Sequence, residues 1–173
     1  MPKPGQLYMY MRSDKDAYSE EWVLCLGRIA LNFAKLEGCA IWLIDKIGTD
    51  AEKTALRAKQ SFAHRNELAI LLVPYKGLPA DIVNDWVQLL GELNAAAGMR
   101  NKIFHNPSSV ANGKNFEEND GIVLLKQGED IVLGLGDVQE YQNHLILLTQ
   151  RMHILLDRTV VVSAPANETE SKA

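Results

Sequence analysis

From Ala17 to about Ile47, apolar side chains recur at Trp22, Cys25, Leu26, Ile29, Phe33, Leu36, Ala40, Ile41, Leu43, Ile44 and Ile47. This is the spacing of one buried helix face kept up through many turns. A strand, whose faces alternate at every residue, cannot gather such a set on one side. The pattern predicts a helix that ends at Gly48, with Ser19, Glu20 and Glu21 in an entry turn where acidic groups favour the positive helix end. A chain that opens on a run of this kind has to bury it against other helices, which constrains the fold to a bundle.

The rest of the sequence supplies those partners. A second helical region runs from Ala51 to about Val73, with an irregularity near Ser61 that suits a cap, and stops at Pro74 and Gly77. A third begins at Pro79 and carries Ile82, Trp86, Leu89, Leu90, Leu93 and Ala97 inward. It ends near Phe104 or His105, because Pro107 disfavours helix at Asn106. A polar loop with Asn112-Gly113 follows, and then two short β-branched runs read as a hairpin from about Ile122 to Leu135. The closing helix, about Asp137 to Val160, places Val138, Tyr141, Leu145, Leu148, Met152 and Leu155 on one face, with Asp137 as its cap.

The expected fold class is therefore all-α: an up-and-down helical bundle with a small β-hairpin inserted before the last helix. A chain of 173 residues suits one domain, here 1–162, which buries about 70% of its unfolded surface and needs no staple. Residues 163–173 are small, polar and charged and read as a disordered tail.

Charge and cysteine usage bound the function. The net charge of −4 argues against broad wrapping of nucleic acid, although it leaves room for a local basic cleft. No apolar run approaches a membrane span and the N-terminus has no apolar signal core, so the expectation is a cytoplasmic protein with no membrane contact. Cys25 and Cys39 stand fourteen positions apart, about 21 Å along one continuous helix, too far for a disulfide. They read as small core residues. His64, His105, His144 and His153 show no ligand spacing, so no metal and no cofactor are expected.

The stretch that carries chemistry is Arg100-Asn101-Lys102-Ile103-Phe104-His105. A guanidinium grips a phosphate through two parallel hydrogen bonds, and a neutral imidazole takes a proton from a hydroxyl. At about 100° per residue Asn101 and His105 lie nearly above one another, whereas Arg100 and His105 differ by about 140°. One regular helix therefore cannot aim both at one phosphate. Either the backbone unwinds at His105 or a second copy of the chain completes the site; a twofold pair would bring two arginines and two histidines into one cleft. The plain alternative is that Arg100 makes a surface ion pair while His105 and Asn106 only end the helix. Lys102 within the motif and Asn106 just after it are candidate RNA-binding positions, with an ordinary surface lysine as the alternative for Lys102. Glu37 lies on the apolar line through Phe33, Ile41 and Ile44 and, if buried, needs a partner such as Arg100. His64-Arg65-Asn66 echoes the motif without its spacing and reads as surface, as do His144 and His153. Trp22, Phe33, Trp42 and Trp86 fall within helical patterns and read as core or interface anchors.

An R-N-x-x-x-H hexamer near the end of a bundle helix, after a long helix reading F-A-K-L-E-G-C-A-I-W-L-I and before a hairpin and closing helix, resembles the HEPN superfamily (higher eukaryotes and prokaryotes nucleotide-binding). The likeness runs from about Ala17 to Val160, and its specific part is the hexamer. It implies a homodimer with paired motifs lining a shared cleft and, in catalytic members, metal-independent endoribonuclease activity. On that likeness His105 is the general base, Arg100 stabilises the charged phosphorane and Asn101 orients the arginine or the phosphate. Products are a 2′,3′-cyclic phosphate and a 5′-hydroxyl, so DNA is not cut. Proteins of this kind in prokaryotes resemble toxins or defence effectors, some paired with a nucleotidyltransferase-like antitoxin. The competing expectation is a noncatalytic HEPN-like module that binds a nucleotide or a protein.

Overall fold

The structure, a computed structural model, describes residues 20–105, 108–110, 121–126 and 129–163. The helices are α1 (Glu20–Leu36), α2 (Cys39–Ile47), α3 (Asp50–Arg57), α4 (Phe62–Leu72), α5 (Ala80–His105) and α6 (Leu135–Ser163). Between α5 and α6 stand three short strands, β1 (Ser108–Val110), β2 (Gly121–Lys126) and β3 (Glu129–Gly134). The architecture is the expected all-α bundle with a small β element before the last helix. The predicted entry at Ala17 to Ser19, the Asn112-Gly113 loop and the tail beyond Ser163 lie outside the described residues.

The first predicted helix is two. The helix is interrupted by a turn at Glu37 and Gly38, and α2 starts at Cys39 although the apolar spacing runs on through the break. A side chain at position 38 would crowd Trp42, since a Cβ there would stand 2.9 Å from two of its ring carbons. The second region divides at 58–61, where Ser61 Oγ accepts the His64 backbone N–H at 3.1 Å and starts α4. Replacing Ser61 by alanine should cost about 1 kcal/mol in chemical denaturation, the worth of an N-cap. Ahead of α3, Thr49 and Glu52 cap each other reciprocally. The Lys76 ammonium and the Thr49 backbone N–H hold the Glu52 carboxyl below its ordinary range.

Near the sheet one expectation is extended and another corrected. The predicted hairpin forms as β2 and β3, and β1 joins β2 as a third antiparallel strand, so that Val110 pairs with Ile122 and Ile122 with Leu133. Ser108 and Ser109 carry no local strand signal, so β1 is specified by its pairing with β2 and not by its own residues. Asp137 is not the cap of α6. The helix begins at Leu135, and Asp137 in its first turn reaches back to accept the Gly134 N–H at 2.8 Å, the return half of a capping box.

Core formation follows the predicted faces. α1 packs along α6, α4 against α5, and α5 against α6, with β3 resting on α6. Trp22, Ile29, Leu36, Leu43, Ile44, Trp86, Leu89, Leu90, Leu93 and Leu145 are fully buried. Cys25 and Cys39 are buried free thiols, and burial pushes the Cys39 thiol up to about 12. Trp42, in contrast, is 40% exposed. α5 and α6 are also joined inside the core: Trp86 Nε1 donates to Thr159 Oγ1 at 2.8 Å, and Thr159 in turn donates to the Leu155 carbonyl at 2.7 Å. Outside it, Arg158 pairs with Asp81 and Asp85, and Arg151 with Glu92.

The His64-Arg65-Asn66 segment departs from its surface reading. His64 is exposed, but Asn66 is fully buried between α4 and α5, where its amide donates to Asn94 Oδ1 at 3.0 Å. Arg65 is half-buried and donates to the carbonyls of Lys59 and Gln60 just beyond α3. His144 and His153 are exposed on α6, as expected.

Candidate functional site at the end of α5

α5 runs unbroken to His105, so the six residues Arg100 to His105 form its last turns. The backbone does not unwind before His105, which leaves the 140° separation of the Arg100 and His105 positions in place. Asn101 and Lys102 are exposed, Ile103 is buried and anchors the turn, and Asn106 lies outside the described residues.

Arg100 is half-buried and held on three sides. Its guanidinium carbon lies 5.4 Å from the centroid of the Phe33 ring on α1 and 5.9 Å from that of Phe104, one turn along its own helix. Its Nη1 donates to Asn101 Oδ1 at 3.0 Å. A guanidinium lying over aromatic faces retains its charge and its outward N–H groups while losing freedom of motion. Phe33 is buried and is itself tilted against Phe62, with ring centroids 5.3 Å apart, so the lower face of the cradle is rigid. Phe104 is 40% exposed and forms the solvent edge.

Tyr141 of α6 completes the setting. Its hydroxyl donates to the Ala96 carbonyl at 2.8 Å, one turn before Arg100. Burial pushes its phenol from the ordinary 10.0 up to about 12, opposed by the Arg100 backbone N–H and positive charge. A phenol whose pKa is raised in the folded state contributes stability that is fully present below pH 10 and is lost as the pH climbs toward 12. Phenolate absorbance should therefore show one tyrosine ionising near 12, and Tyr141→Phe should abolish that step.

Glu37 stands in the turn between α1 and α2, half-buried, its N–H bonded to the Phe33 carbonyl at 2.9 Å. It thus lies just beyond the residue whose ring carries Arg100. The residues whose place at the site sequence reasoning missed are Phe33, read as a core or interface anchor, and Tyr141, read as core. Their signal was present in part: a buried tyrosine hydroxyl needs a polar partner, and the α5 backbone supplies it. No group of three or more His, Cys, Asp or Glu side chains placed to hold a metal occurs among the described residues. No helix among them is long and apolar enough to cross a membrane.

Comparison with protein-family models, with characterised proteins and with solved structures finds no match to this chain. The functional reading therefore rests on the residues at the end of α5.

Proposed function

We propose that this protein is a metal-independent endoribonuclease of the HEPN type, acting as a homodimer. The observation that supports the reading best is the Arg100–Asn101 hydrogen bond over the Phe33 and Phe104 rings. It holds a fixed cation in one orientation at the end of the helix that also carries His105. Phosphoryl transfer places developing charge on nonbridging oxygens, and a donor set in place beforehand stabilises that charge without reorganising.

In the proposed reaction His105 takes the proton of a ribose 2′-hydroxyl, and O2′ attacks the adjacent phosphorus. The P–O5′ bond breaks and the leaving oxygen takes up a proton from water. Arg100 neutralises the phosphorane, Asn101 keeps Arg100 aimed, and Lys102 and Asn106 hold neighbouring phosphates. Because the positions of Arg100 and His105 differ by about 140° around one helix, the pair acting on one phosphate comes from two copies. A role as toxin or defence effector, held in check by a nucleotidyltransferase-like antitoxin, fits a small ribonuclease of this kind, and the cytoplasm is where its substrate is found.

A second reading is favoured by one fact. The net charge of −4 disfavours a protein that grips RNA over a broad face and suits a noncatalytic HEPN-like module that binds a nucleotide or a protein through the same helix end.

The two readings separate on an RNA carrying a single 2′-deoxy nucleotide at a step that is otherwise cut. The ribonuclease leaves that step intact and cuts its neighbours. Cutting at the deoxy step would refute 2′-hydroxyl attack, and binding without cutting at any step identifies the module.

A further inference from the structure

Helical spacing places one further side chain inside the candidate site. With Arg100 at the origin and about 100° per residue, Phe104 stands at about 40°, Asn101 at about 100° and His105 at about 140°. Phe104 therefore occupies the arc between Arg100 and His105, on the turn that follows the Arg100–Asn101 hydrogen bond. Ile103, about 100° round the helix from it, is the buried residue that packs this turn.

The ring of Phe104 is left open by that packing. It is 40% exposed, whereas Phe33, the other ring against the guanidinium, is buried. What surrounds it is polar and positive: Arg100 with its guanidinium carbon 5.9 Å from the ring centroid, and exposed Asn101 and Lys102. Asn101 gives its carbonyl oxygen to Arg100 and keeps two N–H donors on its amide. A flat π surface beside a fixed cation and an amide offers a nucleotide two contacts at once, its base on the ring and its phosphate on the donors. Base and phosphate of one nucleotide are separated by a single sugar, so the phosphate of a base stacked on Phe104 falls beside the Arg100–Asn101 pair.

We infer that Phe104 is a base-stacking platform, which takes the base of the nucleotide whose phosphate Arg100 of the same chain grips. A base in a duplex has both faces covered, so the nucleotide it takes is unpaired, and any base serves because each presents a π face. That the stacked nucleotide belongs to the step that is cut rests on the ribonuclease reading; the stacking itself does not.

The test is the fluorescence of a short oligothymidylate carrying one 2-aminopurine, a base that dims when stacked, titrated with the full chain. This strand has no 2′-hydroxyl to attack, so stacking is read without the chemistry. Wild type is expected to quench it, and pairing the strand with its complement should remove the quenching. Phe104→Ala and Phe104→Leu should each weaken binding roughly 5- to 100-fold and leave the base bright, whereas Phe104→Trp should retain both binding and quenching. Leucine keeps apolar bulk against Arg100 and removes only the π face. Binding that is lost in Phe104→Ala and restored in Phe104→Leu makes Phe104 a packing support for Arg100 and overturns the proposal. So does the absence of quenching by wild type, or quenching that survives Phe104→Ala, whether or not RNA is cut. Quenching by wild type that depends on Phe104, with no cutting of RNA, upholds the platform and counts against the chemistry alone.

Discussion

Replacing His105 by alanine is expected to lower RNA cleavage by about 10²–10⁴-fold, the usual contribution of a positioned general base. The substitution keeps the backbone, and His105 is the last residue of α5, so thermal unfolding should stay where it was. Arg100→Ala should abolish cleavage to a similar degree with a second effect that His105→Ala lacks. It takes the guanidinium off the Phe33 and Phe104 rings, at a cost of about 0.5–1 kcal/mol in stability. Arg100→Lys restores the charge without the planar fork, and only partial recovery is expected. Initial rates on a labelled RNA, read beside unfolding curves, separate the roles. If both alanine variants cut like wild type and only Arg100→Ala melts earlier, Arg100 is a structural residue and the enzyme reading fails.

The largest effect on stability is expected at Trp86. Its indole is fully buried in α5 and its Nε1 donates to Thr159 across the core. Trp86→Ala removes the ring and leaves a cavity, at about 3–5 kcal/mol. Against a total of roughly 5–15 kcal/mol for a protein of ordinary stability, this brings the chain close to unfolding. The expected drop in melting temperature is roughly 6–20 °C for a chain of this size. Trp86→Phe fills most of the space and loses the Nε1 hydrogen bond, while Thr159 keeps its bond to Leu155; a fraction of the alanine effect is expected. Equal melting of Trp86→Ala and wild type would mean that the α5–α6 seam is not where the core is held.

What is legible in the sequence follows from the range of each interaction. Helix faces repeat within a few residues, so spacing alone assigns Ile82, Trp86, Leu89, Leu90 and Leu93 inward on α5, and Val138, Tyr141, Leu145, Leu148, Met152 and Leu155 on α6; all are buried. Ser61 is recognisable as a cap because a cap is local. The break at Gly38 is not: the apolar spacing continues through it, and the Trp42 ring that a side chain there would crowd is brought over it by the turn itself. Strand β1 is defined by residues more than ten positions away. Asn66 reads as surface because its polarity is visible in sequence and its partner Asn94 is not.

The same limit applies to the candidate site. The motif Arg100 to His105 is readable, and so is the angular conflict between Arg100 and His105. The aromatic cradle is not, because Phe33 and Tyr141 reach Arg100 only when α1 and α6 pack beside α5.

The central claim is tested most directly by incubating a labelled mixed-sequence RNA with the protein in excess chelator and identifying the product ends. The ribonuclease reading predicts cutting that resists the chelator, leaves 2′,3′-cyclic phosphate and 5′-hydroxyl ends, and disappears in His105→Ala. Equal background cutting by wild type and His105→Ala, or no cutting of any RNA, would contradict it.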